Sequence, residues 1–191
     1  IEGDIKKAIE VCNELIDKNP YSNDYWFTLG RLYSISGDYE KAIEAFDFAL
    51  TCDDSDEELK ILKAYCLYMN ENYEKAIEAA GGIDLQILGI GRTGHIGFNE
   101  PGSFITSQTR KVFLNDLTIK DAIKDFGSRN LVPTKAITMG VGTIMQARRV
   151  ILMAWGEKKA PIIKATVEGR VSDSVPATFL QMHSNVQFVI D

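Results

Sequence analysis

The chain has 191 residues, 45% of them hydrophobic and 25% charged, with a formal net charge of −6; this is ordinary globular composition for one large domain or two small ones. No apolar run approaches the roughly 20 residues that span a bilayer. No basic start leads into an apolar core like a secretion signal, and no basic stripe with interleaved aromatics marks a nucleic-acid surface, so neither membrane nor nucleic acid is an expected partner. The charge is uneven: residues 1–80 carry 8 Lys/Arg against 18 Asp/Glu, and residues 81–191 carry 13 against 9. The mildly positive second part suits a small anionic substrate.

The first part repeats. Ala8, Ala42 and Ala76 stand 34 positions apart, as do Ile9, Ile43 and Ile77, inside GDIKKAIE, GDYEKAIE and ENYEKAIE. A 34-residue period of this kind is the mark of tetratricopeptide repeats, paired helices that stack. The middle copy resembles that family best, with Trp26, Leu29, Gly30, Tyr33, Ala42, Phe46 and Ala49 at its signature spacings. Small residues at Gly30, Ala42 and Ala49 let two helices approach, and Trp26, Tyr33 and Phe46 fill the space between them. Gly37–Asp38 makes the turn, and Asn19–Pro20 separates the first copy from the second. The repeats, over residues 1–80, are expected to form a helical scaffold that binds a protein or peptide partner or nothing. Cys12, Cys52 and Cys66 have no metal-ligand spacing; they read as reduced thiols of a cytoplasmic protein, and no metal is expected.

Tyr73–Ala80 completes the last repeat, and Gly81–Gly82 stops its helix. Leu85–Ile90 then reads as a buried parallel strand opening into a glycine-rich loop, Gly89, Gly91 and Gly94, followed by His95 and Glu100–Pro101. Loops at the carboxyl ends of such strands are where ligands sit in open α/β sheets. Gly89-x-Gly91-x-x-Gly94 resembles a dinucleotide fingerprint, but no helix opens within it; the glycines are expected instead to let backbone N–H groups of Gly91 and Gly94 approach a sugar. His95 can take and give a proton near neutral pH, and Glu100 can fix its tautomer. Beyond the loop, strands are expected at 108–114, 136–140, 149–155 and 186–190. Helices are expected at 118–126, capped by Asp116 or Thr118, at 141–147 and at 157–168. Strands alternating with helices make βαβ units and a mainly parallel sheet. His183, in LQMHSNV between helix and strand, reads as a packing residue.

The stretch GGIDLQILGIGRTGHIGFNEPGS resembles the glucosamine-6-phosphate deaminase (isomerase) family. TSQTR, VPTKAITMGVGTIMQARRVILMA, GEKKA, TVEG and LQMHSNV follow in that family's order. The resemblance covers residues 81–191, and Tyr73–Ala80 also looks like the helix preceding GGIDLQ in that family, so one helix serves both patterns. The fold class this implies is α + α/β, helical repeats followed by a partial three-layer, Rossmann-like α/β unit. By the same resemblance the reaction is glucosamine 6-phosphate to fructose 6-phosphate and ammonia, with no cofactor. His95 would help open the pyranose ring with support from Glu100, and Lys159 would bind the substrate phosphate. Lys124 stands where the family often has arginine; Ser103 and Arg110 match an allosteric site for an acetylated sugar. Thr93 departs from the Asp or Asn common at its position. The family's opening strands, with a phosphate-binding loop and the aspartate that abstracts the C2 proton, have no counterpart in residues 81–191, so turnover is expected to be impaired. The alternative is a non-catalytic repeat scaffold carrying a vestigial or grafted, chimeric α/β half. The strands ILGIG and VILMAW expect cover on both faces, and an open sheet edge is expected to make the protein a homo-oligomer.

Overall fold

The computed structural model describes residues 2–191. The chain forms two compact units that divide between Gly82 and Ile83.

The first unit is five helices, α1 (Glu2–Lys18), α2 (Asn23–Ser36), α3 (Tyr39–Cys52), α4 (Glu57–Met69) and α5 (Tyr73–Ala79). Carboxylates cap two of them: Asp38 accepts from the Lys41 N–H at the start of α3, and Asp56 accepts from the Leu59 N–H at the start of α4. The core is the one the repeat pattern requires. Phe46, Ala42, Ala49, Leu59 and Cys66 are buried together, and Trp26, Tyr33 and Ile43 pack on them. Gly30 lets α2 and α3 touch, since a Cβ there would lie 2.5 Å from the Phe46 ring. The tetratricopeptide-like reading of this unit therefore holds, with small residues at the crossings and aromatics between them.

The second unit contains β1 (Leu85–Gly89), β2 (Arg110–Phe113), α6 (Asp116–Phe126), β3 (Lys135–Thr138), α7 (Val141–Met145), β4 (Arg149–Ala154), α8 (Ala160–Glu168) and β5 (Val186–Ile190). Strands β1, β4 and β5 form a parallel sheet with β4 in the centre, in register Leu88–Leu152–Phe188. Leu88, Val150, Leu152 and Ala154 are buried with Ile90, Ile96, Ile144, Ala147, Ala177 and Leu180. On β1 the alternation is sharp: Gln86 and Leu88 are buried, whereas Leu85 and Ile87 are 46% and 56% exposed. Cover on both faces was the expectation for this strand; within this chain one face is covered.

Two local expectations are corrected. The segments at 108–114 and 136–140 do not join the parallel sheet; β2 and β3 pair with each other as a separate antiparallel ribbon. Their residues alternate in burial and Phe113 is 77% exposed, which a central parallel strand would not allow. Helix α6 is capped neither by Asp116 nor by Thr118 but by Asn115, whose side chain accepts from the Thr118 N–H at 2.7 Å. That releases the Thr118 hydroxyl for another partner. Among the described residues, no helix is long and apolar enough to cross a membrane.

Candidate active site

Strand β1 ends at Gly89, and residues 90–102 form the loop at its carboxyl end. The loop's turns are closed by its own backbone: the Gly91 N–H donates to the His95 carbonyl at 2.9 Å, and the Gly94 N–H to the Gly91 carbonyl at 3.1 Å. These two amides are thus spent within the loop, and what glycine supplies is room. A Cβ on Gly91 would stand 2.1 Å from Cε1 and Nε2 of His95, so the imidazole rests directly on the Gly91 backbone. Gly94 has φ +77°, a conformation other residues avoid, and its carbonyl accepts from the Ala177 N–H.

Further along, the loop is sewn to β3. The Phe98 N–H donates to the Thr138 hydroxyl at 3.0 Å. Asn99, fully buried, donates to the carbonyls of Ile96 and Met139 at 2.9 and 2.8 Å and accepts from Arg110 at 3.0 Å. With its amide engaged on both sides, Asn99 sets the direction of the next residue, Glu100.

His95 and Glu100 come together as expected of a proton-handling pair. Nδ1 of His95 lies 3.1 Å from Oε2 of Glu100, and both side chains are about one-fifth exposed, at 22%. Thr93 completes the group, its hydroxyl donating to Glu100 Oε2 at 2.9 Å and lying 3.0 Å from His95 Nδ1. The Thr118 hydroxyl, on the first turn of α6, donates to Glu100 Oε1 at 2.9 Å. Arg92 grips Asp121, three residues further along α6, with contacts of 2.6 and 2.7 Å to the two carboxylate oxygens. Loop and helix are therefore tied twice.

The other candidates divide. Lys159 reaches the loop: its ammonium donates to the Ile90 carbonyl at 2.7 Å. Lys159 also lines a groove of ≈ 460 Å³ with Ala154, Gly156, Ile163 and Asp191, at the carboxyl ends of β4 and β5. Lys124 is exposed in the last turn of α6 and makes no hydrogen bond or ion pair with the His95–Glu100 pair. Ser103 and Arg110 meet, with Arg110 Nη2 3.3 Å from the Ser103 hydroxyl. His183 is buried with both nitrogens on the backbone, Nε2 against the Ala147 carbonyl at 2.8 Å and Nδ1 accepting from the Asn185 N–H at 3.0 Å. That is the packing role its position suggested. Among the described residues, no group of three His, Cys, Asp or Glu side chains is placed to hold a metal ion.

Sequence reasoning passed over Asn99, Thr118 as a partner of Glu100, and Thr138. Asn99 had a local signal, its place beside Glu100. Thr118 and Thr138 act across 18 and 40 residues, and nothing near them in the chain points back to the loop.

The profile of the family described as glucosamine-6-phosphate isomerases/6-phosphogluconolactonase matches residues 48–189. A second profile, that of anaphase-promoting complex (cyclosome) subunit 3, matches residues 2–83. The chain is 53% identical over 121 residues to a glucosamine-6-phosphate deaminase of Shewanella woodyi, covering 63% of this chain and 46% of that protein. It is 51% identical over 119 residues to a glucosamine-6-phosphate deaminase-like protein of Bacteroides thetaiotaomicron, covering 62% of this chain but 18% of that one. In structure it is similar to a monomeric glucosamine-6-phosphate deaminase, with a TM-score of 0.62 and 38% identity over 73% of this chain and 54% of that one. The chain therefore spans less than half the length of these two curated relatives. With the parallel sheet, the loop at its carboxyl edge and a profile match over most of its length, the chain belongs to the glucosamine-6-phosphate isomerase/6-phosphogluconolactonase family.

Proposed function

We propose that the second unit binds an amino-sugar phosphate of the glucosamine 6-phosphate type, and that His95, supported by Glu100, exchanges protons with the sugar as its ring opens. The observation that carries this is the His95–Glu100 contact of 3.1 Å in a partly open loop at the carboxyl end of β1. A proton donor and acceptor must sit within hydrogen-bond reach of the proton it moves, and Nε2 of His95 makes no hydrogen bond among the described residues. Lys159, already held at the base of this loop, supplies positive charge for the phosphate. Conversion to fructose 6-phosphate and ammonia also needs a base for the C2 proton. Glu100 does not serve, because both of its oxygens already accept from threonine hydroxyls, and residues 81–191 offer no counterpart of the aspartate that the resemblance implies. Turnover by residues 1–191 alone is accordingly slow or absent, while binding persists.

Calorimetric titration with fructose 6-phosphate tests this, comparing wild type with Lys159→Ala and His95→Gln, alongside a coupled ammonia-release assay. Saturable binding weakened by Lys159→Ala supports the reading. No binding in the wild type favours the rival, a non-catalytic repeat scaffold. Turnover in the usual enzyme range of about 1–10³ per second would show that another group acts as base.

For the first unit we propose a protein or peptide partner. Residues 34 apart on α2 and α4 are equivalent in the repeat. At such places Ile35 and Met69 are both exposed, and Ile61, Tyr65 and Tyr68 continue the exposed apolar line along α4. For the second unit we propose self-association through β1, an edge strand whose uncovered face presents Leu85 and Ile87. The three unpaired cysteines accord with a cytoplasmic setting.

A further inference from the structure

We infer that β5 is a self-pairing edge: a second copy of this chain lays its own β5 antiparallel against it and fills the groove between β5 and α8. This is independent of the sugar-phosphate reading above, and it concerns the edge of the sheet opposite β1.

The bare edge follows from the ladder. β5 stands last in the order β1-β4-β5, so among the described residues it has one hydrogen-bonded neighbour. In a parallel pair, alternate residues of a strand bond to the same side. The Val150 N–H donates to the Asn185 carbonyl, and Val150 stands opposite Val186. Residues 185, 187 and 189 therefore turn their backbone groups to β4, and Val186, Phe188 and Ile190 turn theirs outward. The side chains of those three lie on the core face: Val186 and Phe188 pack on the cluster of Leu152 and Leu180, whereas Ile190 is 56% exposed. The groove of ≈ 460 Å³ runs beside it, with Ile163 and the exposed Val167 of α8 on its other side.

The occupant must bring backbone donors and acceptors to this edge, which a strand does and a helix does not. It must also be uncharged and apolar, because the groove's own charges are already answered. Lys164 faces Glu168 at 3.9 Å, and Asp191 accepts from the Gly156 N–H at 2.7 Å. β5 is itself such a strand, VQFVI. Edges that stay single are blunted by a lysine, a proline or a bulge; β5 has no charge and no proline, and its register with β4 is unbroken from Val186 to Ile190. Turned about a two-fold axis at Phe188, it meets its copy with Phe188 opposite Phe188 and Val186 opposite Ile190. Each opposed pair exchanges two ladder bonds, about six in all. Opposed residues share a face, so Val186 of the second copy comes down beside Ile190, into the groove, and the two cores join across one sheet.

The experiment uses the full chain carrying Ile87→Lys, so that β1 takes no part, and compares it with the same protein carrying Ile190→Lys as well. Ile190 is more than half exposed, so the lysine leaves the unit folded; in the pair it would put a charge into the filled groove. Light scattering on a sizing column should give the Ile87→Lys protein as a dimer, near twice the chain mass of 21.3 kDa, at low and at tens of micromolar concentration. The double variant should run as a monomer. Amide exchange read residue by residue places the contact. The N–H groups of residues 188 and 190 should be protected in the dimer and exchange freely in the monomer, while those of Gln187 and Val189, bonded to β4, stay protected in both. If the double variant loses protection at Gln187 and Val189, and so does not fold, Val186→Pro replaces Ile190→Lys with the same expected result. The Val186 N–H points outward, so proline there removes a bond of the pair and none of the β4 ladder. A monomeric Ile87→Lys protein would overturn the inference. So would a dimer that survives the β5 substitution, or a dimer in which Phe188 and Ile190 exchange as fast as in the monomer.

Discussion

Replacing Gly91 with alanine should disturb the site directly, through the His95 ring. The backbone at Gly91 does not have a positive φ, so alanine can adopt it without strain. The obstacle is the added methyl, which would lie 2.1 Å from His95 Cε1 and Nε2 and 2.4 Å from Cδ2. Non-bonded carbons rest at about 3.5–4.0 Å, so the ring edge must withdraw by roughly 1–2 Å. Nδ1 would be carried away from partners at 3.0 and 3.1 Å, breaking or stretching both contacts. Overpacking costs about 1–3 kcal/mol and a lost hydrogen bond about 1 kcal/mol, so a destabilisation of roughly 2 kcal/mol is expected if the ring moves partway. A displacement near 1 Å at a reacting group is also worth on the order of 10²-fold in rate or productive binding. The control is two residues away: a Cβ on Gly89 would meet nothing within 4 Å, so Gly89→Ala should stay within about 0.5 kcal/mol of wild type. Urea unfolding followed through the histidine ring signals reads both effects, since His183 reports on the unit and His95 on the site. Equal stability of the two variants, with the His95 signals of Gly91→Ala unmoved, would refute the reasoning.

Asp38 offers a pH test in the first unit: the Lys41 side chain hydrogen-bonds its carboxyl and holds it below the usual carboxylate range, helped by the Lys41 backbone N–H at the helix start. A depressed folded value means that its contribution is complete above the unfolded value of about 3.9 and disappears as pH falls through the lower folded one. Asp38→Ala should therefore cost about 0.5–2 kcal/mol near neutrality, mostly as a lost cap because the ion pair is exposed, and in thermal melts the difference between the two proteins should begin to shrink only as pH falls below about 4. Burial pushes the thiols of Cys12 and Cys66 up, whereas Cys52 is exposed. One thiol should react rapidly with a disulfide reagent in the folded protein and three after denaturation; two or more fast thiols in the native state would contradict the packing of α1 or α4. Light scattering on a sizing column should show mass rising with concentration at tens of micromolar, and Ile87→Lys on the uncovered face of β1 should suppress it. A monodisperse monomer throughout that range would remove the case for association through this strand.

The sequence by itself determined whatever depends on neighbours along the chain. The 34-residue period named the repeats because each helix buries its own stripe, and Gly30, Ala42, Phe46 and Ala49 had to share one interface wherever the rest of the chain lay. The β5 limits, 186–190, came out as expected because a run bounded by polar residues carries its own ends. The pairing of His95 with Glu100 was legible since only four residues of loop separate them. Tertiary structure decided what acts at a distance. The charges of β2, at Arg110 and Lys111, hint that it is no central parallel strand, but its partner comes from the far side of α6, and only the assembled ribbon shows that β2 and β3 pair with each other. Asn115 took the cap of α6, and that choice freed the Thr118 hydroxyl to hold Glu100. Thr93, read from the sequence as a departure that supplies neither charge nor amide, becomes the hinge of the site once its one proton and one oxygen are seen between carboxylate and ring. Directional bonds of this kind depend on where three side chains converge, and convergence is a property of the folded chain that no spacing along it encodes.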